Sequence, residues 1–188
     1  MVISSLSKFI AASTAITVIV LPASATETIG EQLKPLVALQ PVDNSNKSFW
    51  RQLPGSAIDV ADGWVIGTGA NPIGGGYNIY RWNGTSWQEM PGYAVRIGGT
   101  YNNPYVVNNE NEIYWWDGFA WQQLPGTATD VADGWIIGTE ANPIGGGYNI
   151  YRWNGTSWQE TPGHAVHIGG NASNPYVVNN ESEIYQAQ

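Results

Sequence analysis

From about residue 48 onward the chain consists of short runs of β-branched, aliphatic and aromatic residues, each closed by a glycine-containing turn. In the first stretch the runs are Ala57–Ala61, Trp64–Thr68, Tyr77–Trp82 and Ser86–Met90. They predict strands, because such side chains fit a pleated, half-buried surface and turn residues bound each run. Asp62-Gly63 and Asn83-Gly84 predict tight hairpin turns with both central residues at positive φ, which Asn, Asp and Gly tolerate best. Asp117-Gly118, Asp133-Gly134 and Asn154-Gly155 repeat the signal. No helical periodicity follows residue 47, so the expectation is an all-β domain.

The pattern repeats. Shifted by 71 residues, Trp50–Asp117 lies on Trp121–Gln188 without a gap, and 53 of 68 positions are identical. Each copy is itself double: Trp50, Trp87, Trp121 and Trp158 start four related units, spaced 37, 34 and 37. Odd units read W-x-x-L-P-G-x-A-x-D-V and even units W-x-x-x-P-G-x-A-V-x-I. An antiparallel four-stranded unit at this spacing predicts a β-propeller blade. The last unit supplies only three strands, and residues 48–52 match the fourth strand of the others. The N-terminal strand is therefore expected to close the last of four four-stranded blades and remove the free edge. The alternative is an open propeller, or one completed by a second copy as a homodimer.

The chain before the repeat differs in character. Residues 1–25 read as a secretory signal peptide: Lys8, an apolar run from Phe9 to Leu21, then Ala23-Ser24-Ala25 as a small-x-small cleavage site. The run is shorter than the roughly 20 residues a membrane span needs. Residues 26–47 carry no aromatic residue and read as a linker. The expected location is secreted, periplasmic or at the cell envelope, with no membrane insertion after cleavage.

Composition narrows the function. Lys and Arg number 7 against 15 Asp and Glu, a formal charge of −8, which is the wrong sign for nucleic acid. Cysteine is absent, so disulfides and thiolate metal sites are excluded. Histidine occurs only at His164 and His167, on opposite faces of a strand and unsuited to joint metal ligation. The carboxylates Glu110/Glu112 and Glu181/Glu183 read as solvated hairpin tips rather than an acid/base pair. The expectation is a non-enzyme with no metal and no cofactor.

The motif W-x-x-L-P-G-x-A-x-D-V-A-D-G, followed by Ile79-Tyr80-Arg81-Trp82-Asn83-Gly84-x-x-Trp87, resembles the tectonin repeat. The resemblance covers residues 48–188, with fewer units than tectonin-type propellers typically carry. It implies a lectin-like propeller that binds a glycan or glycoconjugate. The other reading is a protein-interaction propeller at the cell envelope or outside the cell.

Two residue sets are candidates for function. Sugar recognition needs a flat aromatic face beside amides and hydroxyls. Asn71 and Tyr77, with their copies Asn142 and Tyr148, sit on the long glycine-rich loops, and Asn108, Asn109, Asn179 and Asn180 on loops at the same end. Aligned inner strands place Asp59, Arg96, Asp130 and His167 at one shared position, which predicts a ring of alternating charge about the axis.

Overall fold

The computed structural model describes residues 50–188; the expected signal peptide (1–25) and linker (26–47) lie outside the described residues. Every regular element among the described residues is a strand. In chain order these are β1 (Ala57–Ala61), β2 (Trp64–Ala70), β3 (Tyr77–Trp82), β4 (Trp87–Ala94), β5 (Arg96–Thr100), β6 (Asn103–Val107), β7 (Glu112–Trp116), β8 (Trp121–Ala132), β9 (Trp135–Ala141), β10 (Tyr148–Trp153), β11 (Trp158–Ala165), β12 (His167–Asn171), β13 (Asn174–Val178) and β14 (Ile184–Gln186). All pairings are antiparallel, in sheets ordered β1-β2-β3-β4, β11-β10-β9-β8-β7-β6-β5 and β12-β13-β14. The expected all-β class is observed, and the arrangement is consistent with a propeller-like fold.

The strand grouping differs from four separate sheets. β8 runs for 12 residues straight through Leu124-Pro125-Gly126-Thr127. Its first half pairs with β7 and its second half with β9, so one strand belongs to two repeat units. A register shift between Glu112 and Ile113 absorbs the Pro-Gly step as a bulge, and the Ala128 amide donates to the Asn111 carbonyl at 2.9 Å. At the matching place in the first unit the ladder breaks at Val95, which leaves β4 and β5 separate.

Two further expectations are corrected. The closing strand over 48–52 is not formed: Trp50–Gln52 belong to no strand, and 48 and 49 lie outside the described residues. β14 therefore has no strand on its outer side among the described residues. The hairpin turns use one positive-φ residue, not two. Gly63 (φ 70°) and Gly84 (φ 100°) adopt it, whereas Asp62 and Asn83 do not. Asn83 Oδ1 instead accepts the amides of Thr85 (2.9 Å) and Ser86 (2.8 Å), a side-chain turn that leaves Asn83 itself unstrained.

The core lies between repeat units. Trp64, Ile66, Ile79 and Ala94 of the first unit pack on Ile97, Val106 and Trp116 of the second. Tyr105, Val107 and Ile113 pack on Ala128, Val131 and Ile136, joining the second to the third. Ala132, Trp135, Ile137, Ile150 and Ala165 pack on Ile168, joining the third to the fourth. The first junction also holds three indoles: Trp121 lies 5.8 Å from Trp64 and 5.2 Å from Trp116, in edge-to-face contact.

Candidate functional site

The six-residue segment Asp-Val-Ala-Asp-Gly-Trp, present at 59–64 and 130–135, sets the geometry around the axis. Its first aspartate ends on the inner strand and reaches the next unit. Asp59 Oδ2 accepts the Ile97 amide at 2.9 Å, and Asp130 Oδ2 accepts the Ile168 amide at 3.0 Å. Its second aspartate does the same from the hairpin turn: Asp62 accepts from the Tyr101 amide and Asp133 from the Ala172 amide, both at 3.1 Å. Its tryptophan donates the other way, Trp64 Nε1 to the Tyr101 carbonyl (2.9 Å) and Trp135 Nε1 to the Ala172 carbonyl (3.1 Å). One short segment thus clamps each odd unit to the even unit that follows. Sequence reasoning read this segment as a strand and a turn with its first aspartate in a ring of charge, and did not foresee the bonds to the next unit. Its identity in both copies was the signal that it does more.

The four residues expected at the axis do share one place. Asp59, Arg96, Asp130 and His167 all line a cleft of about 610 Å³ walled by β1, β5, β8 and β12. Their charges gather on one member rather than alternating evenly. Asp130 is buried, with His167 Nδ1 at 3.3 Å and Arg96 Nε at 4.0 Å from its two oxygens. Asp59 holds only backbone, the amides of Ile97 and Val60. Burial pushes its carboxyl above the ordinary value, and the hydrogen bonds from Ile97 and Val60 oppose this.

The expected sugar-contacting amides are engaged in holding loops. Asn71 donates from Nδ2 to Asn78 (2.7 Å) while its oxygen accepts the Ile73 amide (3.0 Å); Asn142, Asn149 and Ile144 repeat this. Asn108 and Asn179 are buried. Asn108 Oδ1 accepts the amides of Glu110 and Glu112, and its Nδ2 donates to Glu112; Asn179 does the same for Glu181 and Glu183. Asn109 and Asn180 lie against Gly75 and Gly146, and the rings of Tyr93 and His164 lie against Gly74 and Gly145. The glycine triplets thus let the long loops close down both on the last strand of their own unit and on the neighbouring unit. Tyr77 and Tyr148 are half-buried and pack on the first and third core clusters. His164 and His167 are held in separate surroundings, and among the described residues no group of three or more His, Cys, Asp or Glu is placed to hold a metal.

Two other clefts, related to each other by the repeat, combine aromatic faces with hydroxyls. One, of about 440 Å³, is lined by Thr68, Tyr80, Trp87, Ser56 and Pro54. The other, of about 230 Å³, is lined by Thr139, Tyr151, Trp158, Thr127 and Glu140. In each, a tyrosine ring lies directly over a glycine of the sheet, Tyr80 over Gly67 and Tyr151 over Gly138, where a Cβ would come within 2.8 Å of the ring. Glycine there leaves room for the ring to lie against the sheet. The tryptophans are fixed by their own N–H: Trp87 donates to Pro54 O (2.8 Å) and Trp158 to Pro125 O (2.9 Å). The sequence pattern marked these tryptophans as the starts of repeat units and did not single out Tyr80 or Tyr151 as site residues. The chain matches no family model and no curated protein.

Removing Asp130 should leave the Ile168 and Val131 amides without their acceptor and Arg96 without its counter-charge. Asp130→Ala is expected to cost roughly 3 kcal/mol by denaturant unfolding, and Asp59→Ala less, since Asp59 has no cation among the described residues within ion-pair distance. The Glu112 carboxylate accepts from Tyr114 Oη and Asn108 Nδ2, each at 2.8 Å, and these bonds hold it below its ordinary value of 4.5. A carboxyl depressed in the folded state stabilises above its unfolded value, and that contribution disappears as pH falls through the folded one. Glu112→Gln should therefore melt lower than wild type at pH 7, and the gap should close as the pH falls below 4.5.

Proposed function

We propose that this protein is an exported, non-catalytic tectonin-like propeller of four four-stranded units that binds carbohydrate. The observation that carries the reading is the pair of repeat-related clefts, each with a seated tyrosine, a fixed tryptophan and threonine hydroxyls. The apolar C–H face of a pyranose stacks on an aromatic ring while hydroxyls and a carboxylate such as Glu140 take up its O–H groups. Two repeat-related sites on one chain, the second with the added carboxylate of Glu140, would raise avidity for a polymeric glycan or glycoconjugate. The resemblance of the repeat to tectonin-type lectins supports the same reading, as does the leader-like segment before it.

A second reading has its own observation. Ile73 and Ile144, at the tips of the two long loops, are almost fully exposed. Paired apolar tips on glycine-rich loops would suit a protein partner at the cell envelope.

Glycan-array binding separates the two. The carbohydrate reading expects binding that a free monosaccharide competes for. It also expects at least about a tenfold loss in a Tyr80→Ala/Tyr151→Ala variant whose circular dichroism matches wild type. Binding to no glycan by the folded protein, with a partner captured by wild type but not by Ile73→Ser/Ile144→Ser, would overturn it in favour of the second.

A further inference from the structure

The 71-residue repeat makes the two aromatic clefts a matched pair, so a residue that differs between them marks a difference in what each can take. Thr68, Tyr80 and Trp87 of the first cleft recur as Thr139, Tyr151 and Trp158 of the second. Val65 becomes Ile136 and Ser56 becomes Thr127, which keeps an apolar group and a hydroxyl in place. The remaining change is of another kind: Gly69 becomes Glu140, which brings a carboxylate to the second cleft alone.

That carboxylate has no counter-charge of its own. Among the described residues, no hydrogen bond or ion pair engages the Glu140 side chain, and no Lys, Arg or His lines either cleft. Three arginines are committed elsewhere: Arg81 lies over the rings of Trp64 and Tyr101, Arg152 lies over Trp135, and Arg96 lies beside Asp130. The hydroxyls of Thr127 and Thr139 face each other at 2.6 Å and bond to one another, so they answer part of their own demand. The open acceptor of the second cleft is therefore Glu140, standing in the same 230 Å³ space as the Tyr151 and Trp158 rings.

A carboxylate beside aromatic faces suits a cation. The carboxylate accepts N–H bonds from an ammonium group, and the ring faces attract its positive charge. The net charge of −8 favours the approach of such a ligand. We infer that the two clefts are different sites: the second selects a saccharide that carries a protonated amine, such as a 2-amino-2-deoxy sugar, and the first takes the neutral sugar. Glu140 is the residue that sets the difference. The inference rests on the carbohydrate reading and narrows it, because a polymer with both free and acylated amines would then occupy both clefts of one chain.

The repeat also supplies the test, since the difference can be removed from one cleft and installed in the other. A Cβ at Gly69 would meet nothing within 4 Å and its φ is not left-handed, so Gly69→Glu fits the fold. Calorimetric titration of the full chain compares a glucosamine trimer with its N-acetylated form at about pH 6, where an amine of this kind is protonated. Wild type is expected to bind the free-amine trimer about fivefold more tightly at one site, a preference that added salt weakens. Glu140→Gln should lose the preference and keep its binding of the N-acetylated trimer. Gly69→Glu should raise the number of amine-selective sites from one to two. A preference that survives Glu140→Gln, or that falls equally in Glu181→Gln outside both clefts, would overturn the inference. Equally tight binding of Nα-acetyl-lysine amide would overturn the assignment to a sugar. If wild type binds neither trimer the inference falls, and the carbohydrate reading is then judged separately by the array.

Discussion

The sheets of this molecule are held together by polar side chains of one unit that satisfy the backbone of the next. A strand pair can bury its apolar face against a neighbour in many offsets, because hydrophobic packing is not directional. The carboxylates of Asp59, Asp62, Asp130 and Asp133 remove that freedom, since each accepts a particular amide of the following unit. Hydrogen bonds to a charged acceptor contribute about 1.5–3 kcal/mol each and are lost if the sheets slide. The indole N–H bonds to proline carbonyls fix the outer strands in the same way. Packing of Ile66, Ile113 and Ile137 into the junctions then follows the register that these bonds set.

That constraint also shapes the surfaces available for binding. The aspartates of the inner strands draw β5 and β12 towards the axis, and so create the charged cleft around Asp130. The tryptophans tied to Pro54 and Pro125 stand beside Tyr80 and Tyr151 at the outer ends of the junctions, and so create the aromatic clefts. The long loops contribute differently from what their composition suggests. Their glycines admit Tyr93 and His164 from β4 and β11 of the same units and Asn109 and Asn180 from the adjoining ones, which makes the loops part of the packing and leaves Ile73 and Ile144 outermost.

Much of the fold was legible in the residues. Three of the four strands foreseen between 57 and 90 begin where their runs begin, because β-branched runs bounded by turn residues have few alternatives. The turn at Asn83-Gly84 was placed correctly but assigned the wrong geometry. A dipeptide does not reveal that Asn83 will spend its side chain on Thr85 and Ser86. The division of strands among sheets was not legible either: Pro125 and Pro91 occupy the same position and both lie inside a strand, yet β8 runs on to Ala132 and joins two sheets whereas β4 stops at Ala94. That Asp59, Arg96, Asp130 and His167 share one cleft follows from aligning the units, whereas the gathering of charge on Asp130 depends on burial that no alignment of units shows. The amides of Asn71 and Asn108 looked available because loops are usually solvated; their partners lie two to seven residues away and are brought in by backbone turns.

The most direct test of the account is amide hydrogen exchange at Ile97, Ile168, Tyr101 and Ala172. Each of these amides is bonded to an aspartate of the preceding unit rather than to a strand partner in the clamp described here. If those carboxylates join the units, the four amides exchange as slowly as the central strand amides of β2 and β9. If they exchange at the rate of exposed turns such as Gly84 and Thr85, the aspartates do not hold the sheets, and packing alone positions them.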